Sequence, residues 1–269
     1  MAVVTAAQSP SRIIPPKASL FFFVLIESLF FSTSICSPQT AVKFPTSVQK
    51  CDQLYSQRAD SVKAAEAATC YEEAFAKSPK EEIAVRLGKT YYWLGAHATK
   101  DKQIEFFQKG IDWSKKAIEI NPKNAGGYFW LGVNNSKYGE ARGILKSLFL
   151  VGPIIDSMQQ VVAIDPGYEY GGAYRVLGRV YFKLPRFAGG GINKSIENLK
   201  KSLEYAPNIS TTHLFLAESY MAKKEYQLAQ QELNIILSTP AMPGLEPEFN
   251  ADKEEARRLL AEVAKKTKD

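Results

Sequence analysis

The sequence predicts an all-α protein, an α-solenoid of about five helical hairpins with insertions and a C-terminal capping helix. The first observation is a recurring phrase in which Leu precedes Gly or Ala, usually followed by Tyr. The second is an apolar run that ends at a proline downstream. Self-similarity at this spacing indicates hairpins that each pack on their neighbours. The phrases are Leu87-Gly88, Leu131-Gly132, Leu177-Gly178 and Leu216-Ala217, and the closing prolines are Pro122, Pro166 and Pro207.

The third observation is the composition, which is that of a folded chain, with 45% hydrophobic and 23% charged residues. The formal net charge is +6. Basic residues alternate with acidic ones, as in Lys80-Glu81-Glu82, and no basic run matches a nucleic-acid motif. The charges therefore predict solvated helix faces and no nucleic-acid partner.

Residues 1–36 have the layout of a signal peptide or an N-terminal anchor. Basic residues precede an apolar block, Leu20 to Phe31, and small residues follow it, but Glu27 interrupts the block. We therefore expect an exported protein, periplasmic or envelope-associated, with cleavage near residues 34–37. A lipid anchor on Cys36 is the lesser alternative, because Ile35 replaces the small residue expected there. Residues 37–47 are predicted to be a linker.

The pattern of the tetratricopeptide repeat (TPR) fits residues 48–240, and 241–269 are predicted to form a C-terminal capping helix and tail. The last unit is the most regular. Three units exceed the repeat length of about 34 residues, with the excess placed near 95–107, 138–153 and 185–191. Because these insertions fall mainly after the first helix of a unit, they mark one edge of the stack. A charged helix from Ala251 to about Lys266 would cover the last apolar face.

Several stretches of the array are more specific than the repeat pattern. They are Phe129-Trp130-Leu131-Gly132, Gly139-Glu140-Ala141, Leu148-Phe149-Leu150-Val151, Asp165-Pro166-Gly167-Tyr168, Lys183-Leu184-Pro185 and His213-Leu214-Phe215. These stretches resemble the TatT family, the periplasmic T-components of tripartite ATP-independent periplasmic (TRAP) transporters, over residues 48–265. The resemblance implies an all-helical, non-enzymatic periplasmic protein that partners a solute-binding P-component and forms a homo-oligomer with a pore or cleft. Members of the family are often lipoproteins, and the poor lipobox of this sequence departs from that pattern.

No catalytic, metal or cofactor site is predicted. His213 occupies a core position of its helix, and His97 has no cysteine or carboxylate pair at metal spacing. The run Gly189-Gly190-Gly191 lacks the Lys-Ser/Thr ending of a phosphate loop, so a flexible connector is expected there. The protein is therefore expected not to be an enzyme.

Cys51 and Cys70 are predicted on the two helices of the first hairpin, at about the same level. In an oxidising compartment they would form a disulfide. The alternative is two buried thiols.

The repeat frame selects a concave groove that combines aromatic and cationic residues. Aromatic rings supply contact area, and Arg supplies a planar fork for a carboxylate. We expect the groove to accept an acidic amphipathic small ligand or an acidic patch of a partner. The alternative is that Arg175 and Arg179 merely pair with surface carboxylates. The selected residues are Lys89, Tyr92, Phe129, Val133, Arg175, Arg179 and Phe182, with Leu214 and Glu218 alongside.

The longest uncharged run of the array, Leu148 to Ile155, is expected to cover its own unit, to contact another subunit or to form a lid. Together these features predict an accessory protein of TRAP-type solute transport. It would dock a periplasmic solute-binding protein, hold a small organic ligand and possess no cofactor. The alternative is a general TPR scaffold for protein–protein assembly in the cell envelope.

Overall fold

The computed structural model describes residues 46–267, which contain eleven α-helices and no strand. The all-α prediction is confirmed. The expected signal peptide or anchor, Cys36 and most of the linker lie outside the described residues. The helices are α1 (Thr46–Ser56), α2 (Ser61–Lys77), α3 (Glu81–His97), α4 (Lys100–Ile120), α5 (Ala125–Arg142), α6 (Ile144–Ile164), α7 (Tyr168–Lys183), α8 (Ile192–Tyr205), α9 (Ser210–Ala222), α10 (Tyr226–Ser238) and α11 (Glu246–Lys266), with a 3-10 turn at Arg186–Ala188.

The recurring Leu-Gly phrase lies where the two helices of a hairpin approach most closely. A Cβ atom on Gly88 would lie 2.7 Å from Ser114 Oγ, and one on Gly178 would lie 2.6 Å from Leu199 Cγ. These distances are shorter than van der Waals contact, so a glycine is needed for the observed helix separation. The Leu of the phrase is buried in three units, at Leu87, Leu177 and Leu216, and half-buried at Leu131.

Consecutive helices run antiparallel. In the third hairpin, Gly132 faces Met158 and Gly139 faces Ser147, so advancing along α5 means going back along α6. Tyr71 on α2 donates a hydrogen bond to Asp52 on α1, which fixes the register of the first hairpin. The buried apolar residues form three clusters, one in α1–α3, one in α5–α7 and one in α8–α11.

Two of the predicted insertions lengthen helices. The excess after Gly95 makes α4 a helix of 21 residues, and α6 has the same length. Pro153 lies inside α6, where it cannot donate a backbone hydrogen bond. The Ser157 hydroxyl donates to the Pro153 carbonyl at 2.7 Å. The fourth unit keeps its excess as a loop around the 3-10 turn.

The final helix covers the end of the stack, as predicted for residues 241–269. It begins at Glu246 rather than Ala251, because Pro247 is tolerated in the first turn of a helix. Phe249, Ala256 and Leu259 are buried on its inner face.

Candidate functional site

A cavity of about 290 Å³ lies on the concave side of the array, between the inner faces of α3, α5, α7 and α9. Six of the seven predicted groove residues line it. Phe182 does not. Its ring centroid lies 5.1 Å from the guanidinium carbon of Arg179, within the distance of a cation–π contact. The lining residues among the predicted set are Lys89, Tyr92, Phe129, Val133, Arg175 and Arg179.

The wall nearest the start of α7 is shaped by a left-handed turn. Glu169, Tyr170 and Gly171 have φ values of 47°, 61° and 67°. Only glycine adopts this conformation freely, so each of the other two residues costs about 1–2 kcal/mol. Arg175 offsets the strain, since its guanidinium donates to the Glu169 carbonyl at 3.1 Å and to the Tyr170 carbonyl at 3.3 Å.

The Arg175 guanidinium has no carboxylate partner within ion-pair distance among the described residues. Burial lowers its pKa, although Glu169 and Asp252 act in the opposite direction. An arginine keeps its proton in proteins. Arg175 is therefore a permanent, half-buried cation that faces the cavity with N–H groups to spare.

The other cations of the cavity have carboxylate partners, and two of them, Lys137 and Lys183, share Glu140. Lys89 Nζ lies 2.8 Å from Glu169 Oε1. Arg179 pairs with Glu218 and also stacks on the Phe215 ring, 4.4 Å from its centroid. The two arginines of the predicted groove thus differ. Arg179 pairs with a carboxylate, as in the alternative interpretation, whereas Arg175 does not.

Two phenol groups complete the polar lining. No described residue accepts a hydrogen bond from the hydroxyl of Tyr55 or Tyr92. Burial raises the pKa of both side chains, so both remain neutral hydrogen-bond donors. Around them the wall is apolar, with Phe129, Val133 and Phe215 among the lining residues.

The two ends of the array contact each other beside the cavity. Arg58, in the α1–α2 turn, binds Glu248 of α11 with two nitrogens, at 2.6 Å and 3.2 Å in the shortest contacts. It also donates to the Gly244 carbonyl at 2.7 Å. Tyr55, Leu245 and Glu248 consequently line the same cavity as α3 and α7. The sequence held no signal for this contact, because the repeat pattern relates neighbouring units and this contact joins residues 190 positions apart.

The predicted cysteine pair is joined in the structure. Cys51 on α1 and Cys70 on α2 form a disulfide with a Cα–Cα distance of 5.4 Å. Cys51 is completely buried in the core of the first hairpin.

Neither histidine lies in the cavity. His213 Nδ1 lies 2.6 Å from Glu232 Oε2, and its Nε2 lies 2.8 Å from the Pro207 carbonyl. His97 stacks on Trp93 with ring centroids 3.9 Å apart. Within residues 46–267, no three His, Cys, Asp or Glu side chains lie together as metal ligands would. The glycine run is a connector, in which a Cβ on Gly190 would lie 1.9 Å from the Leu184 carbonyl oxygen.

The uncharged run in α6 has two faces. Ile154 is buried, whereas Phe149 is 83% exposed. Within the described residues, Ser147–Ile164 is the one stretch long and apolar enough to cross a membrane, with a mean hydropathy of 1.5.

Solved structures share the fold. TTC0263, a thermophilic TPR protein of Thermus thermophilus, is 17% identical and matches with a TM-score of 0.55 over 76% of this chain and 98% of its own. PilF of Pseudomonas aeruginosa is 15% identical, with a TM-score of 0.49 over 81% and 88%. MamA of Desulfovibrio magneticus RS-1 is 16% identical, with a TM-score of 0.46 over 71% and 93%. The first of these similarities shows that this chain has a TPR fold.

The sequence of the array also matches a family. The model of the family described as RMD1-3, regulator of microtubule dynamics protein 1-3, matches residues 47–184, about half of the chain. A comparison with curated proteins found no match. The resemblance to TatT stays a prediction.

Proposed function

Because the chain belongs to the family of regulator of microtubule dynamics proteins 1-3, we propose that it is a non-enzymatic TPR adaptor that acts in the regulation of microtubules. Arrays of this kind offer extended concave surfaces to partners. The described residues supply no metal cluster. Both histidines have hydrogen-bond partners outside the cavity. The concave cavity is the part of the array that is equipped for recognition.

The observation that carries the proposal is Arg175, a half-buried cation in the cavity without a carboxylate of its own. Partial removal of a charge from water without a counter-charge has a cost. A ligand carboxylate would remove that cost, and the planar guanidinium would bind it with two parallel hydrogen bonds. Tyr55 and Tyr92 would donate to the same group or to a neighbouring oxygen. The cavity thus fits a carboxylate attached to an apolar body that contacts Phe129, Val133 and Phe215.

Two sources supply that chemistry: a small organic acid, and the acidic side chain or chain end of a partner protein. The volume of about 290 Å³ admits a small ligand or a single residue of a partner, at the lower end of typical ligand pockets. The ion pair between Arg58 and Glu248 joins the two ends of the array beside this cavity.

The test compares Arg175→Met with Arg257→Met, which removes an exposed arginine of α11. Native mass spectrometry of the gently purified full chain reports a bound small acid, and co-pelleting with assembled microtubules reports a protein partner. We expect at least one of the two signals in the unaltered protein. It should be lost in Arg175→Met and kept in Arg257→Met. If neither signal distinguishes the two variants, the cavity is not the recognition site.

The second candidate is the transport-accessory role that the resemblance to TatT implies, with a periplasmic solute-binding protein as partner. The disulfide between Cys51 and Cys70 favours it, because disulfides persist in oxidising compartments and are rare in the cytosol. Export and an N-terminal signal or anchor belong to this candidate. Thiol trapping separates the two when cells are lysed directly into denaturant with the alkylating reagent, because the buried Cys51 is then accessible. Alkylation of both cysteines supports the cytosolic adaptor, and protection of both supports export.

A further inference from the structure

The helical hairpins place their turns along two edges of the array. The first helices run parallel to one another: Lys183 at the end of α7 pairs with Glu140 at the end of α5, and Arg179 near the end of α7 pairs with Glu218 near the end of α9. The turns α1–α2, α3–α4, α5–α6, α7–α8 and α9–α10 therefore lie along one edge, which we call the hairpin-tip edge. The remaining turns lie along the opposite edge.

The two edges carry opposite charge. We count each turn together with the last four residues of the preceding helix and the first four of the next. Arg58 and Glu248 are left out, because they pair with each other where the ends of the array meet. On the hairpin-tip edge ten basic residues then accompany four acidic ones, Asp60, Asp101, Glu140 and Glu225. On the opposite edge, seven acidic residues accompany three basic ones, Lys77, Lys80 and Lys123. The net charge of the chain is modest, but its positive and negative charges are unevenly divided between the two edges.

The hairpin-tip edge also bears the two most exposed large apolar side chains among the described residues. Phe149 is 83% exposed and Phe187 is 88% exposed. Phe187 lies in the 3-10 turn between α7 and α8. Only 22% of the stretch Ser147–Ile164 around Phe149 is buried.

The tip of the α5–α6 hairpin projects beyond that of the α7–α8 hairpin. Helix α5 continues ten residues past Gly132, whereas α7 continues five past Gly178. At 1.5 Å per residue the difference is about 7.5 Å. Phe149 precedes Met158, the partner of Gly132, by nine residues, which puts it at the level of the projecting turn.

We propose that the hairpin-tip edge docks on a membrane surface that bears anionic headgroups, with Phe149 and Phe187 entering the interface. Exposed aromatic side chains in the hairpin tips, surrounded by cations, match the chemistry of an anionic lipid surface. A fluid interface receives isolated projecting rings without a complementary pocket. A symmetric contact between two copies would set basic edge against basic edge, which opposes dimerisation through this surface. The inference does not rest on the proposed function.

The charge is tested by flotation of the full chain with vesicles of phosphatidylcholine alone and of phosphatidylcholine with phosphatidylserine. Arg186→Glu with Lys102→Glu alters the hairpin-tip edge, and Lys80→Glu with Lys123→Glu makes the same change of charge on the opposite edge. Each cation near an anionic surface contributes about a fivefold factor in partitioning. We therefore expect the first pair to reduce binding to anionic vesicles more than tenfold, and the second pair to leave it within about twofold. Equal loss in both would overturn the proposal.

Insertion of the ring is tested separately, since the apolar block from Leu20 to Phe31 is present in every variant. Phe149→Trp and Ile120→Trp introduce a fluorophore on the hairpin-tip edge and the opposite edge, respectively. Vesicles with brominated acyl chains should quench the tryptophan at 149 and not the one at 120, whatever else holds the protein on the membrane. If neither is quenched, the edge does not enter the interface.

If the hairpin-tip edge binds a protein instead of a membrane, sedimentation gives a different result. Phe149→Ser with Phe187→Ser, matched by Ile120→Ser with Ile164→Ser, is compared by sedimentation velocity without vesicles. If the first pair dissociates an oligomer while vesicle binding is unchanged, the edge binds another protein chain and the membrane proposal is wrong. We expect the sedimentation of both pairs to be the same.

Discussion

Arg58 and Glu248 connect the first hairpin to the last helix through a salt bridge of 2.6 Å across 190 positions of sequence. Arg58 is only 4% exposed, and its guanidinium also lies over the rings of Tyr55 and Trp93. Repeat arrays ordinarily connect each unit to its neighbours alone. In this chain one contact ties the two ends together, so the ends of the array are expected to lose structure together.

Glu248→Gln tests this coupling. It leaves the buried Arg58 guanidinium without a counter-charge, and removal of one partner of a buried pair costs about 3–5 kcal/mol. Because Glu248 is itself 32% exposed, we expect about 2 kcal/mol, measured as the free energy of unfolding in urea. Hydrogen exchange should accelerate in α1 and α2 as well as in α11. The control is Glu255→Gln, whose partner Arg258 is 61% exposed, with an expected change below about 0.5 kcal/mol. A change confined to α11 would show that the ends are independent.

Replacing either of two glycines by alanine is expected to change the free energy of unfolding, in opposite directions. A Cβ on Gly178 would lie 2.6 Å from Leu199 Cγ and 3.1 Å from the Ser195 carbonyl oxygen, so Gly178→Ala must force α7 and α8 apart. Overpacking of this kind costs about 1–3 kcal/mol. Gly152 lies in α6, where an added Cβ would have no atom within 4 Å, so Gly152→Ala should stabilise the helix by about 0.5–1 kcal/mol. Thermal unfolding of both variants checks the signs. A stabilised Gly178→Ala would contradict close helix approach as the reason for the Leu-Gly phrase.

The repeat phrase allowed the fold to be predicted because its cause is local and recurs. Each hairpin needs a small residue at its closest approach and a proline to end its second helix, and both leave a mark in the sequence. The lengths of α4 and α6 could not be predicted in this way, since extra residues of the same composition can either form a loop or extend a helix. Packing of Ile154 and Met158 against α5 favours the helix in α6.

The groove could be located by the same periodicity, because the inward positions of the first helices follow from the repeat frame. The pairing of its charged residues could not be predicted from the periodicity. Arg175 and Arg179 are one helical turn apart and look equivalent in the sequence, yet Glu218 neutralises only Arg179. The left-handed turn at Glu169 and Tyr170, which supplies two carbonyls to Arg175, has no signal apart from Gly171. Tyr55 and Glu248 reach the cavity only because the ends of the array meet.

His213 predicts a dependence of stability on pH. Burial alone would lower its pKa, but hydrogen bonds with Glu232 and the Pro207 carbonyl raise the pKa above its ordinary value of 6.5. A group whose pKa is higher in the folded state contributes stability that is fully present below the unfolded pKa and is lost as the pH rises through the folded pKa. The free energy of unfolding should therefore fall as the pH rises above about 6.5. Urea titrations of His213→Gln should show a flatter profile in that window, and His97→Gln should retain the slope. A slope that survives in His213→Gln would assign it to another group.

Because of the disulfide, we expect the stability of the protein to depend on reductant, with the loss of structure beginning in the first hairpin. Cys51 and Cys70 are separated by 19 positions, and closing a loop of that size stabilises a domain by about 3 kcal/mol in the chain-entropy model. Dithiothreitol should lower the urea midpoint of the oxidised protein and accelerate hydrogen exchange first in α1 and α2. The variant Cys51→Ala with Cys70→Ala should have the same midpoint with and without dithiothreitol, which excludes an effect on Cys36. Because α1 also contacts α11 through the neighbouring Arg58, exchange in α11 should follow that in α1. Exchange that increases in α1 and α2 alone would show that the Arg58–Glu248 contact persists when the first hairpin loosens.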